Sequence, residues 1–252
     1  MARLESPAIV VRKMDFRETS RLLRLFTREM GAFTVLAKGA HRPRSAFLGL
    51  LDLFHLVEAR ISSDPRREIQ ILTRARLTRA HQGLGRCPAR TACASYLVEA
   101  ANAALPDGRP DPALFDLLAS GLYLVERFPL GRLGLAVLAW ETRFLDTLGQ
   151  GFVLDSCPAC GGPQEERNGL RAFSVAEGGA LCPRHRPGTD HQWVPTGVID
   201  LLRDFRRLPA PGLARLDPPK ELVERTADLV RGGIRYRLEK ELRSEKVMRS
   251  LT

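Results

Sequence analysis

IVVRKMDFRETSRLLRLFTREMGAFTVLAKGAHRPRS (Ile9–Ser45) alternates apolar with charged residues, and Gly31 and Gly39 punctuate it. A period of two marks half-buried strands, because successive side chains of a strand leave opposite faces. The pattern predicts strands over Ile9–Met14, Arg21–Thr27 and Phe33–Lys38. Two more follow at Phe54–Ile61 and Glu68–Thr73, separated by the turn-forming SSDPRR of Ser62–Arg67, while SAFLGLLD (Ser45–Asp52) reads as a short helix. Five short strands with a helix after the third are the plan of an OB-fold barrel, so residues 1–80 are expected to form one.

Beyond Gly85 the spacing changes. TACASYLVEAANAAL, DPALFDLLASGLYLVERF and GRLGLAVLAWETRFLDTLG repeat apolar residues every three or four positions, which is helical spacing. Asp111 and Pro112 suit an N-cap and a first-turn proline, and Leu105–Pro110 reads as the preceding loop. Helical spacing stops at Gly149 and Gly151, resumes at Thr196 with TGVIDLLRDFRRL, and is expected again from Pro218 to about Arg249. The expected architecture is therefore α+β and multidomain: a barrel over 1–80, a helical domain over 81–150 and 193–252, and an insert over 151–192.

The gap holds the strongest local motif. Cys157-Pro-Ala-Cys160 is followed by Cys182-Pro-Arg-His185, and two such knuckles place four ligands around one Zn²⁺. Glycines beside each pair supply tight turns. Three thiolates and an imidazole close the coordination shell, which describes a structural ion rather than a catalytic one that keeps a water. His191 is an alternative fourth ligand. A zinc deaminase would need an H-x-E, which is missing, and a redox C-x-x-C would sit on a βαβ unit. Cys87 and Cys93 lie on an apolar helical stretch and read as packed thiols. With five cysteines, an odd number, a disulfide framework is not expected.

Charge is unevenly distributed. Residues 1–80 hold 16 basic against 8 acidic residues, whereas 81–156 hold 6 against 8, so the positive field gathers on the barrel and would attract polyanions. The candidate DNA-binding residues are Arg12 and Lys13 on the first strand, Arg21 and Arg24 on the second, Lys38, Arg42 and Arg44 in the loop after the third, and Arg66 and Arg67 in the last turn. Neither Trp nor Tyr occurs before residue 80, so contact is expected to run through phosphates more than through stacked bases. The C-terminal RGGIRYRLEKELRSEKVMRS mixes both signs and reads as a solvated face. Walker-type glycine loops, H-E-x-x-H and G-x-S-x-G are absent, so no catalytic residues are assigned. No uncharged stretch reaches a dozen residues and the N-terminal residues do not resemble a signal peptide, so a cytoplasmic, nucleoid-associated protein is expected. A zinc-ribbon transcription or translation accessory protein and a zinc-dependent nucleic-acid-processing enzyme are the competing classes.

The stretch Ile9–Ser45, the switch to helices near Gly85 and FSVAEGGALCPRH within the insert resemble the RecO family of bacterial recombination mediators. The resemblance implies an N-terminal OB-fold, a helical domain and, in many members, a zinc element. It further implies binding of single- and double-stranded DNA, annealing of complementary strands, and work with RecR and RecF to load RecA onto strands coated by single-strand-binding protein. Many zinc-bearing members carry a fourth Cys where this chain has His185.

Overall fold

The computed structural model describes residues 2–64, 66–105 and 109–252, so Pro65 of the expected turn and residues 106–108 of the expected Leu105–Pro110 loop lie outside the described residues. The chain divides into two compact units, one running to Arg127 and including Ser244–Leu251, the other spanning Phe128–Arg243 with Thr252.

The first unit is built on a closed barrel of five strands ordered β1-β2-β3-β5-β4, where β1 is Ala2–Phe16, β2 Ser20–Thr27, β3 Gly31–Ala37, β4 Leu56–Ser63 and β5 Gln70–Arg79. Its interior is filled by Ala8, Val10, Leu23, Leu25, Val35, Ala37, Val57, Ala59, Ile61, Leu72 and Ala75. The alternation read from Ile9 onward is this inward set, and small alanines among branched residues let the sheet close. β1 closes it by pairing twice: Ala2–Ile9 lie beside β4, and Ala8–Phe16 beside β2. Gly31 opens β3 at φ +78°, where a Cβ would lie 2.4 Å from the Arg109 carbonyl oxygen, so no other residue fits there.

Three expectations are corrected in this unit. β1 begins seven residues before Ile9, held by register with β4 rather than by alternation of its own. β5 runs on past Thr73 to Arg79 because register shifts at Arg60/Ile61 and Leu56/Val57 keep it paired with β4. Ser45–Asp52 forms consecutive turns instead of a helix. Its Leu48 and Leu50 amides reach only three residues back, to Ser45 and Phe47, and Gly49 at φ +71° ends any helical continuation.

Helices α1 (Gln82–Arg86), α2 (Pro88–Ala104) and α3 (Pro112–Arg127) complete this unit with a C-terminal helix described below. Asp111 caps α3 as expected, its carboxylate accepting the Leu114 N–H at 2.9 Å. Phe26 meets Phe115 edge-on at 5.5 Å, and Arg28 makes a two-pronged ion pair with Asp116, which pins α3 to β2. Buried His81 bonds Glu126 at 2.7 Å, and Glu126 also accepts the Gly83 N–H, tying the start of α1 to α3. Cys93 is fully buried in α2 and Cys87 half-buried at its start.

The second unit centres on α4 (Leu133–Thr147), entered through a 3₁₀ turn at Leu130–Arg132 and packed against α5 (Thr196–Arg207), α6 (Ala210–Leu213) and α7 (Lys220–Leu238). Fully buried Glu141 of α4 accepts the Arg231 Nε–H of α7 at 2.9 Å. Gly233 of α7 admits the Phe152 ring, which a Cβ would approach to 2.8 Å. The helix expected to run from Pro218 to about Arg249 is two helices: α7 ends at Glu239, in the left-handed region at φ 50°, and α8 (Arg243–Leu251) follows in the first unit. The Ser244 N–H and hydroxyl there cap against Glu99 of α2. Between α4 and α5 lies a small sheet ordered β7-β6-β8, from Leu170–Ser174 (β6), Gly179–Ala180 (β7) and Gln192–Pro195 (β8). No helix among the described residues is long and apolar enough to cross a membrane.

Candidate metal centre and nucleic-acid interface

Each knuckle of the insert is a tight turn that turns its amides back on its own cysteine. The Cys157 carbonyl accepts the Gly161 N–H at 2.8 Å, Gly161 taking φ +69°, and the Cys182 carbonyl accepts the His185 and Arg186 amides at 3.1 Å. β6 and β7 carry the second knuckle beside the first, where Cys157, Leu181 and Cys182 share a small core. The outcome is a cluster of Cys157, Cys160, Cys182 and His185 whose ligand atoms all lie within 4.8 Å of one another. Cys160 and Cys182 sulfurs are 3.9 Å apart, and His185 Nδ1 lies 3.2 Å from Cys182 Sγ and 3.9 Å from Cys157 Sγ. A tetrahedral ion with metal–sulfur bonds of about 2.3 Å sets sulfur–sulfur edges of about 3.8 Å and sulfur–nitrogen edges of about 3.5 Å, so the four donors fit one metal ion. His191 is elsewhere: its Nδ1 bonds the Thr189 carbonyl at 2.8 Å and its ring meets Trp193, which leaves His185 as the fourth donor.

The thiols feel one another. Burial raises the Cys182 thiol, but the amides of His185 and Arg184 and the neighbouring sulfurs outweigh it and hold the group below its ordinary value. At Cys160 the Gly162 amide favours the thiolate, while burial and the sulfurs of Cys182 and Cys157 push the thiol up. Amides aimed at sulfur are what a thiolate ligand needs, and crowding of sulfurs is relieved by a cation among them. All five cysteines are free of disulfides.

On the barrel the nine basic residues singled out from the sequence separate. Strand directions place the β1–β2 turn, the loop after β3 and the end of β5 at one end of the barrel, and the β2–β3 and β4–β5 turns at the other. Lys38, Arg42 and Arg44 are therefore at one end, Arg66 and Arg67 at the opposite one. His41 fastens the loop to the β1–β2 turn, its N–H bonding the Thr19 carbonyl at 3.0 Å and its Nε2 lying 2.8 Å from Asp15. Lys38, Arg42 and Arg44 are exposed and make no ion pair among the described residues. Arg17, which the sequence reading passed over, joins them from the turn, exposed at φ 55° with its guanidinium 5.3 Å from the Phe16 ring. Its signal was the charged R-E-T-S turn between two strands.

Three of the other members are paired with acids. Lys13 pairs with Asp52 at 2.7 Å, Arg21 with Asp15 at 3.2 Å and Arg67 with Asp64 at 3.5 Å. Asp15 lies below the ordinary carboxylate value, first through its bond to His41, and Asp52 likewise through Lys13. Arg12 and Arg24 are register partners on one face, with Arg24 donating to Asn102 of α2 at 2.8 Å. Arg66 is exposed without an ion pair among the described residues. The barrel end bearing Lys38, Arg42 and Arg44 of the predicted set, joined by Arg17, thus gathers exposed cations that make no ion pair among the described residues.

A closed OB-type barrel with a cationic end is thus carried in one chain with helices and a four-donor metal cluster, and proteins similar to this chain are DNA-repair proteins. Residues 1–81 match the family described as Recombination protein O N terminal, and residues 87–246 match Recombination protein O C terminal. The chain belongs to the RecO family. It is 30% identical over 203 residues to a protein of Rhodopirellula baltica named DNA repair protein RecO, covering 80% of this chain and 74% of that one. A relative of the same name from Anaeromyxobacter sp. (strain Fw109-5) is 33% identical over 214 residues, 84% and 81% of the two chains. Another from Moorella thermoacetica is 29% identical over 245 residues, 95% and 88%.

Proposed function

We propose that the protein binds single- and double-stranded DNA without catalysing a reaction on it, anneals complementary strands, and acts with RecR and RecF to load RecA onto strands coated by single-strand-binding protein. The observation that carries the DNA-binding part is the free cationic end of the barrel, Arg17, Lys38, Arg42 and Arg44, gathered by the bonds of His41. Family membership supports the mediator role and its partners. Annealing brings two polyanions together against their mutual repulsion. A surface that grips phosphates and leaves base edges free lowers that repulsion while pairing proceeds. The setting is cytoplasmic, at the nucleoid.

The ion of the insert is zinc in this reading, held by Cys157, Cys160, Cys182 and His185. Bound there, it would cross-link two turns that share a small core of Cys157, Leu181 and Cys182, and a closed four-donor shell leaves no position for substrate.

The test is annealing of complementary oligonucleotides across a salt series, with and without nucleotide and Mg²⁺, comparing the wild type with Lys38→Glu/Arg42→Glu/Arg44→Glu. The proposal expects nucleotide-independent annealing that the charge reversal abolishes. Annealing and binding unchanged by reversal, or metal-dependent turnover of the strands, would overturn it.

A further inference from the structure

We propose that the outer face of β5, continued by Tyr123 and Arg127 of α3, is a second nucleic-acid site on this protein. It is a track for one extended single strand that runs along β5 toward the end of the barrel that also bears the loop after β3. The inference rests on the proposed function and adds to it where a second strand sits.

Three arginines of β5 share that face because of a bulge. Arg74 is in register with Arg60 and Arg76 with Glu58, both pointing outward, and the shift at Leu56/Val57 then lets the chain skip Thr78 so that Arg79 pairs with Leu56 and also points outward. Simple alternation from Arg76 would have turned Arg79 inward. All three are exposed, and none forms an ion pair among the described residues. Acids are present but do not neutralise the row: Glu58 faces Arg76 without pairing with it, and Glu5 is taken by Arg60 at 2.9 Å. Arg60 and Arg74 stand directly opposite each other, and because Glu5 pairs with Arg60 the charge of Arg74 is left for an outside anion.

The row ends on an aromatic. Tyr123, 41% exposed, carries the Arg79 guanidinium 4.6 Å and the Arg127 guanidinium 5.1 Å from its ring centroid. Arg127 is exposed-side partner to the ring one helical turn on, and it too makes no ion pair among the described residues. Flat guanidinium and phenol surfaces are what an unpaired base stacks on, and this is the stacking element that the first 80 residues lack. Outward residues two apart on a strand advance about 6.6 Å, a step similar to that between phosphates of an extended single strand. A duplex, with bases hidden, has nothing to offer Tyr123. The site therefore takes a single strand, phosphates on Arg74, Arg76 and Arg79 and a base against the Arg79–Tyr123–Arg127 stack.

The experiment measures binding of a single-stranded oligonucleotide against salt for the full chain, for Arg74→Gln/Arg76→Gln/Arg79→Gln, and for the matching triple Lys variant. Removing three phosphate contacts should make the log–log slope less steep by about 2, and the Lys triple should keep it. In parallel, a bromouracil-substituted oligonucleotide should photo-cross-link to the peptide holding Tyr123, and Tyr123→Leu should lose that adduct. Wild-type binding with an unchanged slope in the Gln triple, or cross-links that avoid this peptide, overturns the second site and leaves the loop-end reading standing. A wild type that binds no oligonucleotide overturns both.

Discussion

Arg231→Met removes a buried cation from beside a buried carboxylate. Glu141 has no exposed side-chain surface and Arg231 only 8%, and the 2.9 Å bond between them joins α4 to α7 at the centre of the second unit. Removing one member of such a pair leaves a buried charge and costs about 3–5 kcal/mol. For a chain of this length each kcal/mol moves Tm by about 2–4 °C, so the variant should melt about 6–20 °C lower. Replacing both members with apolar side chains removes the stranded charge, and buried pairs exchanged in this way are neutral or stabilising. Glu141→Leu/Arg231→Met should accordingly recover most of the loss. Thermal unfolding followed by far-UV circular dichroism gives all three melting points. If the single variant melts within about 2 °C of the wild type, the burial argument is wrong.

Three further outcomes are expected. Purified protein should hold one zinc per chain. Cys157→Ser should lose it, and a chelator that lowers the wild-type melting point should leave that variant unmoved; full zinc retention by the variant would remove Cys157 from the ligand set. Burial holds His81 below its ordinary value of 6.5 against the pull of Glu126, so the unfolded chain binds the extra proton first as pH falls. Stability should therefore drop as pH is lowered through 6.5, and His81→Gln, which can keep the bond to Glu126, should flatten that part of the melting-point profile. Asp116 is held below the carboxylate value of 3.8 by the Arg28 bond, so its contribution is present above 3.8 and lost as pH falls beneath it. Because Asp116 is half exposed, Asp116→Asn should cost no more than about 1 kcal/mol at neutral pH, read by denaturant unfolding.

The barrel was legible because its inward set is apolar and alternates, as Leu23, Leu25 and Val35 do. What alternation could not reveal came from partners distant in sequence. Ala2–Ala8 became strand through β4, and Arg74–Arg79 through two register shifts that no local pattern encodes. Ser45–Asp52 was misread because its leucines are spaced like a helix while Gly49 turns the chain the other way. Likewise Glu239 hides a left-handed cap inside a run rich in helix formers. The metal cluster was legible for the opposite reason, since knuckle spacing is itself local geometry and needs little from the rest of the fold. Knuckle spacing already favoured His185 over His191, and the cluster contains His185. The cationic residues were easy to name and hard to group. Whether two arginines share a face depends on bulges, and whether they are free depends on acids such as Asp15, Asp52 and Asp64 that the fold brings in.

The central claim is that this protein holds nucleic acid through phosphates, and the salt dependence of single-strand binding tests it most directly. Arg17, Lys38, Arg42 and Arg44 alone predict a log–log slope of about −3, steepening toward about −5 if the β5 row is engaged as well. A slope near zero, or affinity that salt does not weaken, would contradict the account.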